Sequence, residues 1–125
     1  MSRILLIDRD VHVRYLVDQY LRAEGHQIDT ADDGFAALDR LTQEPYPLIL
    51  SEILLPRLDG LALCRRVKAE HPNTRIIILS MLASGGRAQE AGADAFLRKP
   101  LVRGALLSTV QTVLTSSTSL SESQP

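Results

Sequence analysis

The sequence predicts an α/β domain built around one parallel sheet, and two observations support this prediction. Five short apolar runs, rich in β-branched residues, recur along the chain, and stretches with helical periodicity separate them. Runs that are apolar on both faces are typical of strands covered by helices on both sides. Strands that alternate with helices indicate βαβ units, so we expect a doubly wound domain.

The strands are predicted where apolar runs meet polar or turn residues. The first run stops at Asp8, the second begins after Gly25, and the fourth is entirely apolar and mostly β-branched. The predicted strands span residues 4–7, 26–30, 48–50, 76–79 and 95–97. Right-handed crossovers leave few topologies for five such strands, and the flavodoxin-like order 2-1-3-4-5 is the leading candidate.

Helices are predicted where apolar residues recur every three or four positions. Asp59 is expected to cap a helix start, and Gly104 weakens the first turn of the last helix. The apolar positions are Val13, Leu16, Val17, Tyr20 and Leu21, then Phe35, Leu38 and Leu41, then Leu61, Cys64 and Val67, and finally Leu106, Val110 and Val113. Cys64 is therefore interpreted as core filler and not as a reactive thiol.

Composition limits the classes of protein to which the chain can belong. Its 125 residues are 45% apolar and 23% charged, with a net charge of -1, which argues against a general nucleic-acid binder. A single cysteine excludes an internal disulfide and a cysteine-cluster metal site. No apolar run has the length of a membrane span or a signal peptide, so the chain is expected to be cytoplasmic. We expect one domain over residues 1–114 and a flexible Ser/Thr-rich tail or linker over residues 115–125.

Polar side chains gather at the predicted switch point of the sheet, where ligands bind in open doubly wound folds. The carboxyl ends of the strands are followed by Asp8, Arg9 and Asp10, by Ser51 and Glu52, by Ser80 and by Lys99. Each residue alone is typical of a solvated turn, but their shared location predicts a site.

Several stretches occur in a family-specific order: residues 4–8, 13–14, 31–38, 52–56 with 59–60, and 91–100. Over residues 3–114 the chain thereby resembles the receiver domain of bacterial response regulators. The resemblance implies that a histidine kinase phosphorylates an aspartate after the third strand, assisted by Mg²⁺. The resemblance places Asp8 at the position of the family's first metal-binding acid. It places Ser80 and Lys99 at the positions of the hydroxyl residue and the lysine that hold the phosphoryl oxygens, and Phe96 at the position of the aromatic residue that reports activation. It also implies a cis Lys99–Pro100 bond.

The chain departs from this pattern at the accepting position, which lies four residues before Pro56 and holds Glu52. The carboxylate of a glutamate lies one methylene further from the backbone than that of an aspartate. A displacement of the attacking oxygen by about 1 Å costs about a hundredfold in the rate of phosphoryl transfer. Glu52 also carries a fixed negative charge where the phosphoryl charge would develop, so it is a candidate mimic of the phosphorylated state.

Two further departures affect the same site. Arg9 occupies the position where the family has a second acid that binds the metal ion, and a guanidinium repels a cation. Mg²⁺ is therefore expected to bind weakly or not at all. Asp8 is a weak candidate ligand, and Asp10 could partly replace the missing acid. Arg9 is instead a candidate ion-pair partner for Glu52 or Asp8. Met81 follows Ser80 where the family has a small residue, and it either crowds the phosphate entrance or fills a gap.

The segment after the fourth strand is about one helical turn shorter than is usual for the family. Gly85 and Gly86 disfavour helix, so a truncated or mobile fourth helix is expected. In receivers this helix contributes to the usual output surface. The shortening therefore suggests an altered partner or dimer mode, although a tolerated loop deletion gives the same pattern.

The leading functional hypothesis is an atypical pseudo-receiver that acts by protein–protein interaction and not as an enzyme, either as a homodimer or with a partner or output domain. The alternative is a phosphorylatable receiver served by a histidine kinase, using Glu52, Ser51 or Asp59. A hydrolase or transferase is disfavoured, because no Gly-rich phosphate loop follows the first strand. The histidines His12, His26 and His71 fall outside the predicted site and are expected on the surface.

Overall fold

The computed structural model describes residues 1–115, which form a five-stranded parallel sheet with helices on both faces. The strand order is β2-β1-β3-β4-β5, which confirms the predicted doubly wound topology and its flavodoxin-like order. Each predicted strand is present, with ends displaced by one or two residues. The strands are β1 (Arg3–Ile7), β2 (Gln27–Ala31), β3 (Leu48–Glu52), β4 (Arg75–Ser80) and β5 (Ala95–Arg98).

The strand ends differ from the sequence prediction where the site begins. Ser51 and Glu52 are the last two residues of β3, and Ser80 is the last residue of β4. Ser51 pairs with Ile7 of β1 and Ile78 of β4, and Glu52 pairs with Leu79. Parallel pairing therefore continues into the site and holds these polar residues rigidly.

Five helices connect or follow the strands, and three begin with an aspartate cap. Asp10, Asp33 and Asp59 accept hydrogen bonds from the backbone N–H of His12, Ala36 and Ala62, as N-caps do. The Asp59 cap was predicted and is confirmed. The helices are α1 (Val11–Arg22), α2 (Gly34–Gln43), α3 (Gly60–Glu70), α4 (Gly85–Glu90) and α5 (Arg103–Thr115).

Helix α4 has only six residues, which confirms the predicted shortening. Gly85 and Gly86 do not interrupt it; they form its first turn. Gly85 lies against the ring of Phe96, so packing on β5 offsets the low helix propensity of the pair. Helix α5 extends to Thr115, which the prediction assigned to the flexible tail at 115–125, and the rest of that tail, residues 116–125, lies outside the described residues.

The apolar core forms two layers, one on each face of the sheet. Alternate residues of β1 separate: Leu5 and Ile7 pack with α2, α3 and α4, whereas Ile4 and Leu6 pack with α1 and α5. Cys64 is fully buried in the first layer, as predicted. Burial raises the pKa of its thiol to about 11, so it stays protonated near neutral pH.

Within residues 1–115, none of the helices combines the length and apolar character needed to cross a membrane.

Candidate functional site

Lys99 holds two carboxylates together at the carboxyl edge of the sheet. Its Nζ donates to Asp8 Oδ2 over 2.7 Å and to Glu52 Oε1 over 2.8 Å. The three side chains come from the ends of β1, β3 and β5 and are at most 10% exposed. The structure therefore brings the predicted residues Asp8, Glu52 and Lys99 into one buried ion cluster, which we call the triad.

The second oxygen of Glu52 is also occupied. Glu52 Oε2 accepts from the backbone N–H of Ile53 at 2.5 Å and of Leu54 at 3.1 Å. Burial alone would raise the pKa of Glu52, but the Lys99 hydrogen bond and these two N–H groups outweigh it and lower the pKa below its ordinary value. Glu52 is thus a carboxylate whose charge is fixed by its own chain.

The Lys99 ammonium is stabilised by the same contacts. Burial alone would lower the pKa of Lys99, but its hydrogen bonds to Asp8 and Glu52 outweigh that effect and raise the pKa above its ordinary value. The Lys99–Pro100 bond is cis, as the family resemblance implied. The Lys99 N–H donates to the Ser80 carbonyl over 2.8 Å, and this hydrogen bond holds the lysine beside the end of β4.

Gly60 allows the start of α3 to approach the accepting position. A Cβ atom at Gly60 would lie 2.0 Å from the carbonyl oxygen of Glu52, so no larger residue fits without moving the backbone. The Gly60 N–H donates to the Ile53 carbonyl over 2.8 Å. This close approach closes the β3–α3 loop behind Glu52. The sequence marked residues 59–60 only as a helix start and did not indicate the contact.

Ser80 and Met81 point in different directions. Ser80 is fully buried, and its Oγ accepts from the Leu82 N–H over 3.2 Å. Met81 is 69% exposed, so it fills no gap in the core, and that interpretation of the residue is wrong. Whether its side chain obstructs a phosphate entrance remains a prediction.

Arg9 does not pair with the acids of the triad. It is exposed, and within residues 1–115 its side chain makes no ion pair or hydrogen bond. The predicted pairing of Arg9 with Glu52 or Asp8 is wrong because Lys99 already binds both carboxylates. Asp10 is also committed elsewhere, since its Oδ1 caps the N–H of His12.

The triad does not fit Mg²⁺, the ion that the family resemblance implies. An ammonium lies between the two carboxylates that would bind it, and Asp8 Oδ1 accepts from the Asp10 N–H over 2.9 Å. Mg²⁺ requires several oxygen ligands in octahedral geometry, and a guanidinium at Arg9 adds repulsion. Among residues 1–115, no group of three or more His, Cys, Asp or Glu side chains is arranged to hold a metal ion.

Of the remaining candidates, Phe96 and His26 contact none of the triad's side chains, and Ser51 contacts only the backbone of Glu52. Phe96 is half-buried against the first core layer beside Gly85. Ser51 is fully buried, and its Oγ donates to the Glu52 carbonyl over 3.0 Å. His26 lies between α1 and β2, away from the triad, where its Nδ1 accepts from the Ser2 N–H over 3.0 Å.

Sequence reasoning missed two arginines beside the site. Arg14 donates from Nε to the Asp8 carbonyl, and Arg57 pairs with the buried carboxylate of Asp33. The Arg57–Asp33 contact joins residues 24 positions apart, so local patterns carry no signal for it, whereas the Arg14–Asp8 contact spans six positions, from α1 back to the residue after β1. The stretches containing Arg14 and Asp33 were nevertheless among those on which the family resemblance depends.

Comparison with known proteins finds relatives that match most of this chain. The family model described as "Response regulator receiver domain" matches residues 4–111. A gliding motility regulatory protein of Myxococcus xanthus is 40% identical over 102 residues, which cover 78% of this chain and 13% of that protein. Response regulator MprA of Mycobacterium avium is 31% identical over 115 residues, or 90% of this chain. The chain spans only about half the length of MprA, 50%.

Solved structures show the same fold. NtrX from Brucella abortus superposes with a TM-score of 0.88 at 32% identity, covering 97% of this chain and 28% of NtrX. The chemotaxis response regulator CheY4 of Vibrio cholerae superposes with a TM-score of 0.84 at 27% identity, covering 90% of this chain and 98% of CheY4. From its sequence match, its topology and the position of Lys99 and Asp8 at the sheet edge, the chain belongs to the response regulator receiver domain family.

Proposed function

We propose that this receiver domain signals by binding a protein partner in a state fixed by its own side chains, without phosphotransfer. The observation that carries the proposal is the contact of Lys99 with Glu52, 2.8 Å, inside the chain. In the family's pattern this lysine grips a phosphoryl oxygen; here a permanent carboxylate takes that place. Glu52 supplies one fixed negative charge, whereas a phosphoryl group supplies nearly two, so the imitation is partial.

The surroundings of Glu52 also disfavour attack on a phosphodonor. Both of its oxygens already accept hydrogen bonds, from Lys99 and from the Ile53 and Leu54 N–H groups. An attacking oxygen must lose these contacts and reach in-line geometry with a metal close by. Loss of the second acid at Arg9 removes one ligand for that metal.

Exposed apolar side chains support a protein-binding role. Large apolar residues follow each of the five strands at the edge where the triad lies, and each is at least 41% exposed. They are Val11, Phe35, Leu54, Met81, Leu82 and Val102. Apolar surface of this kind, rimmed by charged groups, is typical of protein–protein contacts. An output domain, a separate partner or a second copy of the chain are the candidate occupants.

The test is phosphorylation in solution. The domain is incubated with Mg²⁺ and acetyl phosphate, and its intact mass is measured beside a receiver domain with an unaltered acceptor. We expect the control to gain a phosphoryl group and this domain to keep its mass. A phosphoryl gain that mild base removes would overturn the proposal and favour the phosphorylatable alternative.

A double variant tests the cause. Glu52→Asp with Arg9→Asp rebuilds the family's carboxylate set, so we expect Mg²⁺ binding to rise measurably above wild type in titration calorimetry. If binding remains undetectable in the folded variant, the metal site is closed by something other than these two residues, and Met81 becomes the first residue to replace.

A further inference from the structure

A second charged cluster lies beside the triad at the carboxyl edge. It is an open cleft of about 480 Å³, which we call the arginine cleft. The loops after β1, β2 and β3, together with the first turn of α1, form its walls. Its lining residues are Arg9, Arg14, Asp32, Asp33, Pro56 and Arg57.

The arginine cleft is positive in a chain that is slightly negative. Three guanidiniums face two carboxylates there, so the cleft carries one net positive charge, while the whole chain has a net charge of -1. Arg14 and Arg57 are paired with the two aspartates, so the remaining positive charge is that of Arg9, and an exposed cation attracts anionic ligands. An anion is therefore the ligand that this surface favours.

The three arginines are not equally engaged. Arg57 pairs with Asp33, which is buried and also caps α2, and Arg14 reaches Asp32 Oδ1 over 3.0 Å. Arg9 is the exposed guanidinium without a partner among the described residues. A guanidinium presents a planar fork of donors that fits a carboxylate in a bidentate pair, so Arg9 is available to a ligand oxygen.

The two aspartates select the kind of anion. Asp32 is 87% exposed and offers acceptor oxygens beside the arginines. A run of phosphates has no N–H donors to match them and would be repelled by both carboxylates. A peptide carries carboxylates for the arginines and backbone N–H donors for Asp32. The mixed lining therefore fits an acidic peptide better than a nucleic acid.

Resting on the proposed function, we infer that the partner presents an acidic peptide segment to the arginine cleft, with Arg9 as its main anchor. The cleft is also linked to the triad, because Arg14 donates from Nε to the carbonyl of Asp8. A ligand carboxylate that competes with Asp32 for Arg14 would therefore engage a side chain that is hydrogen-bonded to Asp8, one of the two acids that Lys99 holds.

The experiment uses a short fluorescein-labelled oligoglutamate peptide and the full chain at low ionic strength. Fluorescence anisotropy is measured for wild type, for Arg9→Gln and for the matched control Arg65→Gln. Arg65 is an exposed arginine of α3 outside the cleft, so both variants make the same change in net charge. A labelled oligonucleotide serves as the competing class of ligand.

We expect saturable binding of oligoglutamate that Arg9→Gln weakens by about five- to tenfold, one lost bidentate pair, while Arg65→Gln stays within about twofold of wild type. Absence of saturable binding, equal weakening by both variants, or tighter binding of the oligonucleotide would each overturn the inference.

The two proposals fail separately. Oligoglutamate binding is measured on the unmodified chain, and the phosphorylation test reads mass. If oligoglutamate does not bind specifically and the domain keeps its mass with acetyl phosphate, only the inference of an acidic partner is overturned. A phosphoryl gain together with Arg9-dependent peptide binding overturns only phosphorylation-independent signalling.

Discussion

The triad and the arginine cleft share one edge of the sheet but have opposite character. In the triad, two carboxylates and one ammonium are almost completely buried, and every contact is internal. In the cleft, Arg57 is 67% exposed and Arg9 has no partner among the described residues. Buried charges must be paired to be tolerated, whereas exposed charges contribute little to folding. Each charge of the triad therefore depends on its buried partners, whereas Arg9 is exposed and can be changed at little cost to the fold.

The largest effect is expected from Lys99→Met. It leaves Asp8 and Glu52 buried without a cation, so the free energy of unfolding should fall by about 3–5 kcal/mol in urea titrations at neutral pH. The control is Lys68→Met, because Lys68 pairs with Asp94 at 22% exposure and should cost only about 1 kcal/mol. Equal losses for the two variants would mean that burial does not distinguish the triad.

The second effect concerns the approach of α3 to Glu52. Gly60→Ala places a Cβ atom against the Glu52 carbonyl, and we expect it to destabilise the fold by about 3 kcal/mol. Gly104→Ala is the matched control, because nothing lies within 4 Å of a Cβ atom added at Gly104. This substitution in α5 should raise the free energy of unfolding by about 0.4–1 kcal/mol. Thermal unfolding of both variants measures the difference, and a stable Gly60→Ala protein would contradict the close approach.

A smaller effect is expected in acid. Because the pKa of Glu52 is lowered from 4.5 in the folded state, its stabilisation is present above that value and is lost as the pH falls through the folded pKa. Glu52→Gln should therefore lose less stability than wild type below pH 4.5. Glu70→Gln, on a half-exposed residue paired with Arg66, should retain the wild-type acid dependence in parallel urea titrations. Identical profiles for all three proteins would argue against the Lys99–Glu52 contact.

The smallest effect is expected in the cleft. Arg9→Gln removes an exposed side chain that makes no hydrogen bond or ion pair among the described residues, so the free energy of unfolding should change by less than about 0.5 kcal/mol. A larger loss, measured by urea titration, would show that Arg9 is part of the folded core of the site, and the contrast with the triad would disappear.

Much of the fold could be predicted because it depends on local pattern. Apolar runs gave the strands and helical spacing gave the helices, since side-chain period follows directly from backbone geometry. The Asp59 cap was predictable for the same reason. Local propensity disfavours a helix start at Gly85 and Gly86, but α4 begins there because it packs on β5 beside Phe96, a contact that the local sequence does not reveal.

The sequence by itself determined the strand order, the two-sided core and the gathering of Asp8, Glu52 and Lys99 at one edge. Only the tertiary structure decided how those charges divide. Lys99 lies 47 positions from Glu52 and 91 from Asp8, yet it binds both, whereas Arg9, the sequence neighbour of Asp8, pairs with neither. Arg9 is instead left in a cleft with Arg14 and Arg57. Ion pairing depends on distance and burial in space, and these are fixed by the packing of strand ends that no local pattern encodes.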